Sequence, residues 1–216
     1  MMGENIMIYG AGGAGRELAF ALSLQKEMPL WNVLGFIDDT PELKGKSVND
    51  LPVLGDFGWL KQNSGNIALC IVNDPKVKRH LVEKIKQIPH IKFPRVISRY
   101  SLVSKFIEWG EGCIVAHPFN YITTNIKIGN FVWINSHNLI GHDTIIGDYT
   151  TIFSDIDIGG GTEIGSDCVI GSGVTILPKI KIGDGSIIGG GSLVSKDIPA
   201  KVVATGVPAK ITRELK

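Results

Sequence analysis

The apolar positions of this chain fall into two regimes. From Ile122 to Lys196, isoleucine returns at every sixth residue: Ile122, Ile128, Ile134, Ile140, Ile146, Ile152, Ile158, Ile164, Ile170, Ile176, Ile182 and Ile188, with Val194 in phase. A small or β-branched residue stands four places later, as at Thr144, Thr150, Thr162, Cys168, Val174, Ser186 and Ser192. Helices repeat near 3.6 residues and strands near 2, so a period of six belongs to neither. It belongs to a β-helical solenoid of hexapeptides. Three hexads close one triangular turn, each giving a short strand and a corner. Isoleucine and the small residue point inward. Glycine, which follows many of the isoleucines, is expected at the corner, where other residues are strained. Residues eighteen apart then stack at the strand spacing of roughly 4.8 Å. Ile128, Ile146, Ile164 and Ile182 form one internal column, Ile134, Ile152, Ile170 and Ile188 a second, and Ile140, Ile158 and Ile176 a third.

The first ninety-odd residues read differently. Asn5–Tyr9 is a short apolar strand running into Gly10-Ala11-Gly12-Gly13-Ala14-Gly15, then a helix from Arg16 to about Lys26, then a strand Val33–Ile37 ending in Asp38-Asp39. This is a βαβ unit with a Gly-x-Gly-x-x-Gly turn at Gly10, Gly12 and Gly15. Such a turn lets the backbone approach a phosphate at a helix N-terminus. The acidic pair stands where a ribose hydroxyl is held. The competing reading is a tight turn that only packs helix on sheet. A third strand, Ile67–Val72, leads to Asp74 as N-cap and Pro75 as first helical residue. The helix to about Ile88 sets Val77, Leu81, Val82 and Ile85 on one face and its lysines and Arg79 on a solvated one. A fourth strand lies near Ile91–Val96. Four strands are few for a two-lobed dinucleotide fold, so a single nucleotide or a nucleotide-sugar is the economical ligand. The expected organisation is an α/β Rossmann-like domain with a short parallel sheet over residues 1–97, and an all-β parallel β-helix over 98–216.

Composition narrows the setting. With 22 Lys and Arg against 21 Asp and Glu, the net charge of +1 argues for no nucleic acid and no membrane surface as partner. Three cysteines, Cys70, Cys113 and Cys168, in apolar surroundings suit a reducing compartment better than a disulfide framework. There is no secretory pattern and no apolar run long enough for a membrane span, so a soluble cytoplasmic protein is expected.

Against the regular hexads the polar exceptions stand out: Asn135-Ser136-His137-Asn138 and His142-Asp143, all at or near corners and expected to face outward. Eighteen-residue arithmetic stacks Gly160 over His142 and Gly161 over Asp143. A bare glycine edge above an outward histidine leaves a groove for a slender ligand, and an acidic neighbour raises the basicity of the imidazole or orients it. The alternative is a solvated surface histidine. Asp155 stacks above His137, a pair read as a structural hydrogen bond between turns. His137 and His142 also resemble part of the three-histidine zinc site of hexapeptide-repeat carbonic anhydrases. A third ligand is lacking, since His117 lies twenty residues before His137, not a whole number of turns. No metal is therefore expected. Cys168 occupies an inward small position and reads as core rather than nucleophile.

The hexads, Asn135 followed by His142-Asp143, and the ending Ile198-Pro199-Ala200 with Gly206-Val207-Pro208-Ala209-Lys210 resemble bacterial acyl-CoA-dependent hexapeptide transferases. With Gly10–Gly15 and Phe36-Ile37-Asp38-Asp39, the whole chain resembles the PglD/NeuD-like sugar acetyltransferases. That resemblance implies a left-handed β-helix in a homotrimer, with acetyl-CoA along the prism edge between two subunits and a nucleotide-sugar on the N-terminal domain. It implies His142 as general base, Asp143 as the acid that raises its basicity, and Asn135 close to the reacting groups. Gly12, Gly13, Ala14, Asp38, Asp39 and Gly55 would contact the nucleotide-sugar. Thr151, Gly160, Ser172 and Gly190 would line the CoA groove. The Pro208 and Lys210 ending belongs to the same cosubstrate, and Lys201, Lys210 and Arg213 are candidates for its phosphates by charge and position. Many relatives carry histidine where this chain has Ala14 and Thr151. The implied reaction acetylates an amine, the 4-amino group of a UDP-linked sugar being favoured. The alternatives are O-acetylation of a sugar or sialic acid, a zinc-dependent hydratase on the same prism, and a non-catalytic trimeric binding protein.

Overall fold

The structure is a computed structural model and describes residues 3–24, 31–115 and 117–216. It divides into two compact units, Met1–Val96 and Ile97–Lys216.

The N-terminal unit runs β1 (Glu4–Tyr9), α1 (Gly13–Ser23), β2 (Trp31–Ile37), a hairpin of β3 (Ser47–Val48) and β4 (Leu51–Gly55), α2 (Phe57–Leu60), β5 (Gly65–Leu69), α3 (Pro75–Ile85) and β6 (Ile91–Lys92). Its sheet has the order β3-β4-β2-β1-β5-β6. All neighbours are parallel except β3 with β4. The central strand β1 buries Ile6, Met7, Ile8 and Tyr9 without alternation, as a parallel strand covered on both faces does.

Several details differ from the sequence reading. Helix α1 begins at Gly13, not Arg16, because Arg16 N already donates to Gly12 O at 3.0 Å, so the glycine turn is itself the first helical turn. The expected end at Lys26 lies outside the described residues; the helix closes at Ser23. Strand β4 adds a parallel neighbour to β2 that the exposed Pro52 concealed. Helix α3 starts as expected, with Asp74 accepting from Val77 N at 3.0 Å. Its buried face, however, is Pro75, Lys78, Val82 and Ile85, while Val77 is half exposed. Lys78 is therefore not on a solvated side.

The C-terminal unit is a three-faced prism. The first face holds Trp133–Ile134, Thr151–Ile152, Val169–Ile170 and Ile187–Ile188, the second Leu139–Ile140, Asp157–Ile158 and Thr175–Ile176, and the third Ile145–Ile146, Glu163–Ile164 and Lys181–Ile182. The three columns form in the expected register, eighteen residues per coil. These isoleucines are buried, as are Thr144, Thr150, Thr162, Cys168, Val174, Ser186 and Ser192 beside them. Each buried isoleucine contributes about 1.5–3 kcal/mol relative to an exposed one. An antiparallel hairpin, Val202–Gly206 with Ala209–Glu214, finishes the first face.

Two expectations about the corners are corrected. The glycine after each isoleucine is not the residue with left-handed backbone. Positive φ falls two places later, at Asn125, Asp143 and Lys179 on the edge between the second and third faces, at His137 and Asp155 on the edge between the first and second, and at Phe131, Tyr149 and Asp167 on the remaining edge. Glycine is needed for a different reason: a Cβ at Gly141 would lie 2.6 Å from Gly160 N, and one at Gly147 2.4 Å from Ser166 N. The coil above leaves no room. Asn138 does not face outward either. It is buried at the small-residue position, donating through Nδ2 to Asn120 Oδ1 at 3.1 Å and to Asn135 O at 3.0 Å, and accepting from Ile156 N at 3.0 Å. An amide whose groups are all hydrogen-bonded can occupy a buried position without an unsatisfied polar atom.

Candidate active site

The edge between the second and third faces carries His142 and Asp143. His142 Nδ1 lies 2.7 Å from Asp143 Oδ2. Hydrogen bonds from His142 and then Asn125 hold the Asp143 carboxyl below its usual value, so it is ionised and accepts. In the neutral imidazole Nδ1 therefore carries the proton and Nε2 the lone pair. Both side chains are more than half exposed, at 67% and 58%. One coil up, a Cβ at Gly160 would fall 2.6 Å from His142 Nε2, so the basic nitrogen faces a strip of bare backbone. The coil spacing is locked by Gly161 N, which donates to His142 O at 2.7 Å, while Gly160 N enters no backbone hydrogen bond among the described residues. A base with a lone pair on Nε2, beside a backbone N–H that no backbone carbonyl engages among the described residues, can take a proton from a nucleophile and stabilise the oxyanion that forms.

The edge between the first and second faces carries a second set. Asn135 is half-buried and its Oδ1 accepts from Ser136 N at 3.0 Å. Above Ser136 stack Ser154, at 3.3 Å between hydroxyl oxygens, then Ser172 and Gly190, both exposed. Gly191 N donates to Ser172 O at 2.8 Å. The sequence-selected residues are thus split: His142, Asp143 and Gly160 on one edge, Asn135, Ser172 and Gly190 on another, at opposite ends of the second face. Thr151 is fully buried, in register with Trp133 and Val169. Pro208 lies in the turn of the final hairpin, with Lys210 exposed opposite Thr205, Arg213 opposite Val203 and Lys201 at a corner.

The histidines of the zinc alternative do not converge. The His137 ring packs on Phe119 at 5.2 Å, on a different edge from His142, and His117 meets the edge of Trp133 at 5.9 Å.

In the N-terminal unit, Gly12 and Gly13 are exposed and a Cβ on either would meet nothing within 4 Å, whereas a Cβ at Gly15 would lie 1.8 Å from Gly10 O. The motif therefore contains one packing glycine and an open pair at the start of α1, with Ala14 half-buried behind them. Asp38 is turned towards the protein: Oδ2 accepts from Ala11 N at 2.7 Å and Oδ1 from Thr40 N at 2.9 Å. Burial opposes its ionisation, but the hydrogen bonds from Thr40 and Ala11 outweigh it and its pKa lies below the usual value. Asp39 accepts from Tyr9 Oη and from Phe57 N at 2.8 Å. The acidic pair thus braces the turn. Gly55 O accepts from Asp38 N at 2.9 Å, and a Cβ on Gly55 would strike the Trp59 ring at 2.4 Å. The sequence reading missed Asn125 and Tyr9; eighteen-residue arithmetic run downward from Asp143 would have found the first.

The family described as PglD N-terminal domain matches residues 5–85, and that described as bacterial transferase hexapeptide (six repeats) matches residues 158–196. Over 151 residues the chain is 36% identical to GDP-perosamine N-acetyltransferase of Escherichia coli O157:H7; the match covers 67% of this chain and 65% of that protein, so the chain spans a little under two thirds of this curated relative. Among solved structures, WeeI from Acinetobacter baumannii AYE is 31% identical over 95% of this chain and 98% of that one, with a TM-score of 0.84. A histidine-to-alanine variant of GDP-perosamine N-acetyl transferase from Caulobacter crescentus, in complex with CoA and GDP-perosamine, is 26% identical over 97% of both chains, with a TM-score of 0.87. The C-terminal unit is accordingly a left-handed parallel β-helix and the N-terminal unit a Rossmann-like α/β domain.

Proposed function

We propose that this chain, which belongs to the PglD/NeuD-like sugar acetyltransferases, transfers the acetyl group of acetyl-CoA to an amine of a nucleotide-linked amino sugar. The observation that carries this reading is the His142–Asp143 pair with Nε2 facing the bare Gly160 backbone. The neutral amine attacks the thioester carbonyl as His142 Nε2 removes its proton. The oxyanion of the tetrahedral intermediate accepts from Gly160 N or from Asn135. Collapse breaks the C–S bond, and the proton returns from Nε2 to the thiolate, leaving amide and CoA thiol.

The N-terminal turn is the nucleotide-sugar end: the open Gly12 and Gly13 admit a pyrophosphate to the start of α1, with Ala14 beside them. Asp38, Asp39 and Gly55 shape that end through the braces described above. A UDP handle is the sequence expectation; a GDP handle is favoured by the names of two relatives. The working assembly in this proposal is a homotrimer. The edge bearing Asn135, Ser172 and Gly190 and the edge bearing His142 and Gly160 are separate within one chain, and packing one against the other between copies would join them in a CoA groove closed by Pro208 and Lys210. Three reduced, buried thiols suit a cytoplasmic setting.

The test is acetyl transfer followed by thiol release, with UDP- and GDP-linked 4-amino sugars offered separately. His142→Ala should lower turnover with the accepted sugar about 10²- to 10⁴-fold, leaving a measurable residual rate; near-normal turnover would refute the assignment. Calorimetric titration with UDP and GDP names the handle.

A further inference from the structure

The edge that carries the base has the side chain of Asn125 in the coil directly below Asp143. Lys127 pairs in register with Ile145, so the residues two before each, Asn125 and Asp143, stack directly. Both hold left-handed corner backbone, with φ of 57° and 58°. The two coils are clamped here, because Asp143 N donates to Thr124 O at 3.1 Å. Thr124 Oγ1 donates to Asn125 Oδ1 at 3.4 Å, which engages the amide oxygen and leaves the amide nitrogen as the donor towards the coil above. From that position the Asn125 side chain helps to hold the Asp143 carboxyl below its usual pKa, and this carboxylate is the group that holds His142 Nδ1.

We propose that Asn125 is a positioning residue of this site: its amide fixes the Asp143 carboxylate in the orientation that accepts from His142 Nδ1, and so keeps the imidazole in the tautomer whose Nε2 faces Gly160. The role rests on His142 acting as the base in the reaction proposed above. An exposed ion pair held by two side chains alone is weak and exchanges with water. A third donor from the adjacent coil removes one rotational freedom from the carboxylate. The corner conformation does not by itself demand the amide, since the same column holds Asp143, Gly161 and Lys179 in the coils above. Asparagine at this coil is what places a donor beneath Asp143.

The test is Asn125→Gly, which keeps the left-handed corner without strain and deletes the amide. Nitrogen-15 spectra of the neutral His142 ring read the tautomer directly. The Nδ1–H fraction is expected to fall, and kcat to drop roughly threefold to tenfold for loss of one charge-assisted hydrogen bond, with KM for acetyl-CoA unchanged. In an Asp143→Asn background the same substitution should change neither quantity further. An unchanged tautomer fraction, or an undiminished fall in the Asp143→Asn background, overturns the role. The spectrum needs no substrate, so it judges Asn125 even if the wild-type protein transfers no acetyl group, an outcome that would fail the functional reading instead.

Discussion

Gly160→Ala is the sharpest perturbation the geometry offers. The added methyl would lie 2.6 Å from His142 Nε2, 2.8 Å from Cε1 and 2.9 Å from Cδ2. Carbon and nitrogen atoms rest at about 3.5–4.0 Å, so the ring must retreat by roughly 1 Å. It can do so, because its side chain is 67% exposed within the chain. Retreat stretches or breaks the 2.7 Å contact with Asp143 and removes Nε2 from the Gly160 backbone. A 1 Å displacement of a reacting group costs about 10²-fold in rate. Stability should scarcely change: Gly160 is not among the residues with positive φ, and a surface change of this kind stays within about 0.5 kcal/mol. The assay is initial rate at saturating acetyl-CoA and acceptor, beside a thermal melt of the same preparation. In a His142→Ala background, Gly160→Ala should cost nothing more. A Gly160→Ala protein turning over within threefold of wild type would refute the placement of the base, and so would a loss of equal size in the His142→Ala background.

Four further predictions follow from the geometry of both units. Gly15→Ala should destabilise the N-terminal unit by about 3 kcal/mol or more through its clash with Gly10 O. Gly13→Ala, with nothing near its methyl, should melt as wild type but bind a nucleoside diphosphate about tenfold more weakly by calorimetry; equal melting of the two variants would contradict the division of roles. Asp143→Asn should lower kcat less than His142→Ala does, since it removes the orienting acceptor but not the base; full activity would count against Asp143. Burial pushes the Cys168 thiol up to about 11 from 9.0, and burial likewise raises Cys70 and Tyr9. Stability from Cys168 is complete below about pH 9 and lost as the pH rises towards about 11, because only the unfolded thiol ionises in that window. Melting temperature against pH should fall across it, and Cys168→Val should flatten the fall.

Much of the prism could be read in advance because a period of six ties every residue to a place. The same arithmetic that stacked Gly160 on His142 would have turned Asn138 inward, since it stands four after Ile134. Position outranks polarity here, because the amide of Asn138 finds hydrogen-bond partners inside the prism. The corner glycines were rightly located but for the wrong cause, because close approach of a neighbouring coil is invisible in a single hexad. The N-terminal unit has no such period. Lys78 and strand β4 are set by what packs across the sheet, and the inward turn of Asp38 follows from the closure of the glycine turn on β2. Pairing of His142 with Asp143 was legible as adjacency; the support from Asn125 needed a neighbour eighteen residues away.

The fixed register of the coils constrains how such a gene can change length. Removing or duplicating eighteen residues returns every remaining side chain to its own face and edge, only one storey higher or lower. A six-residue change keeps the isoleucines inside but rotates everything downstream by a third of a turn, carrying Gly160 away from the edge of His142. Lineages of this architecture should therefore gain and lose whole storeys, while shorter insertions survive only as bulges at the corners.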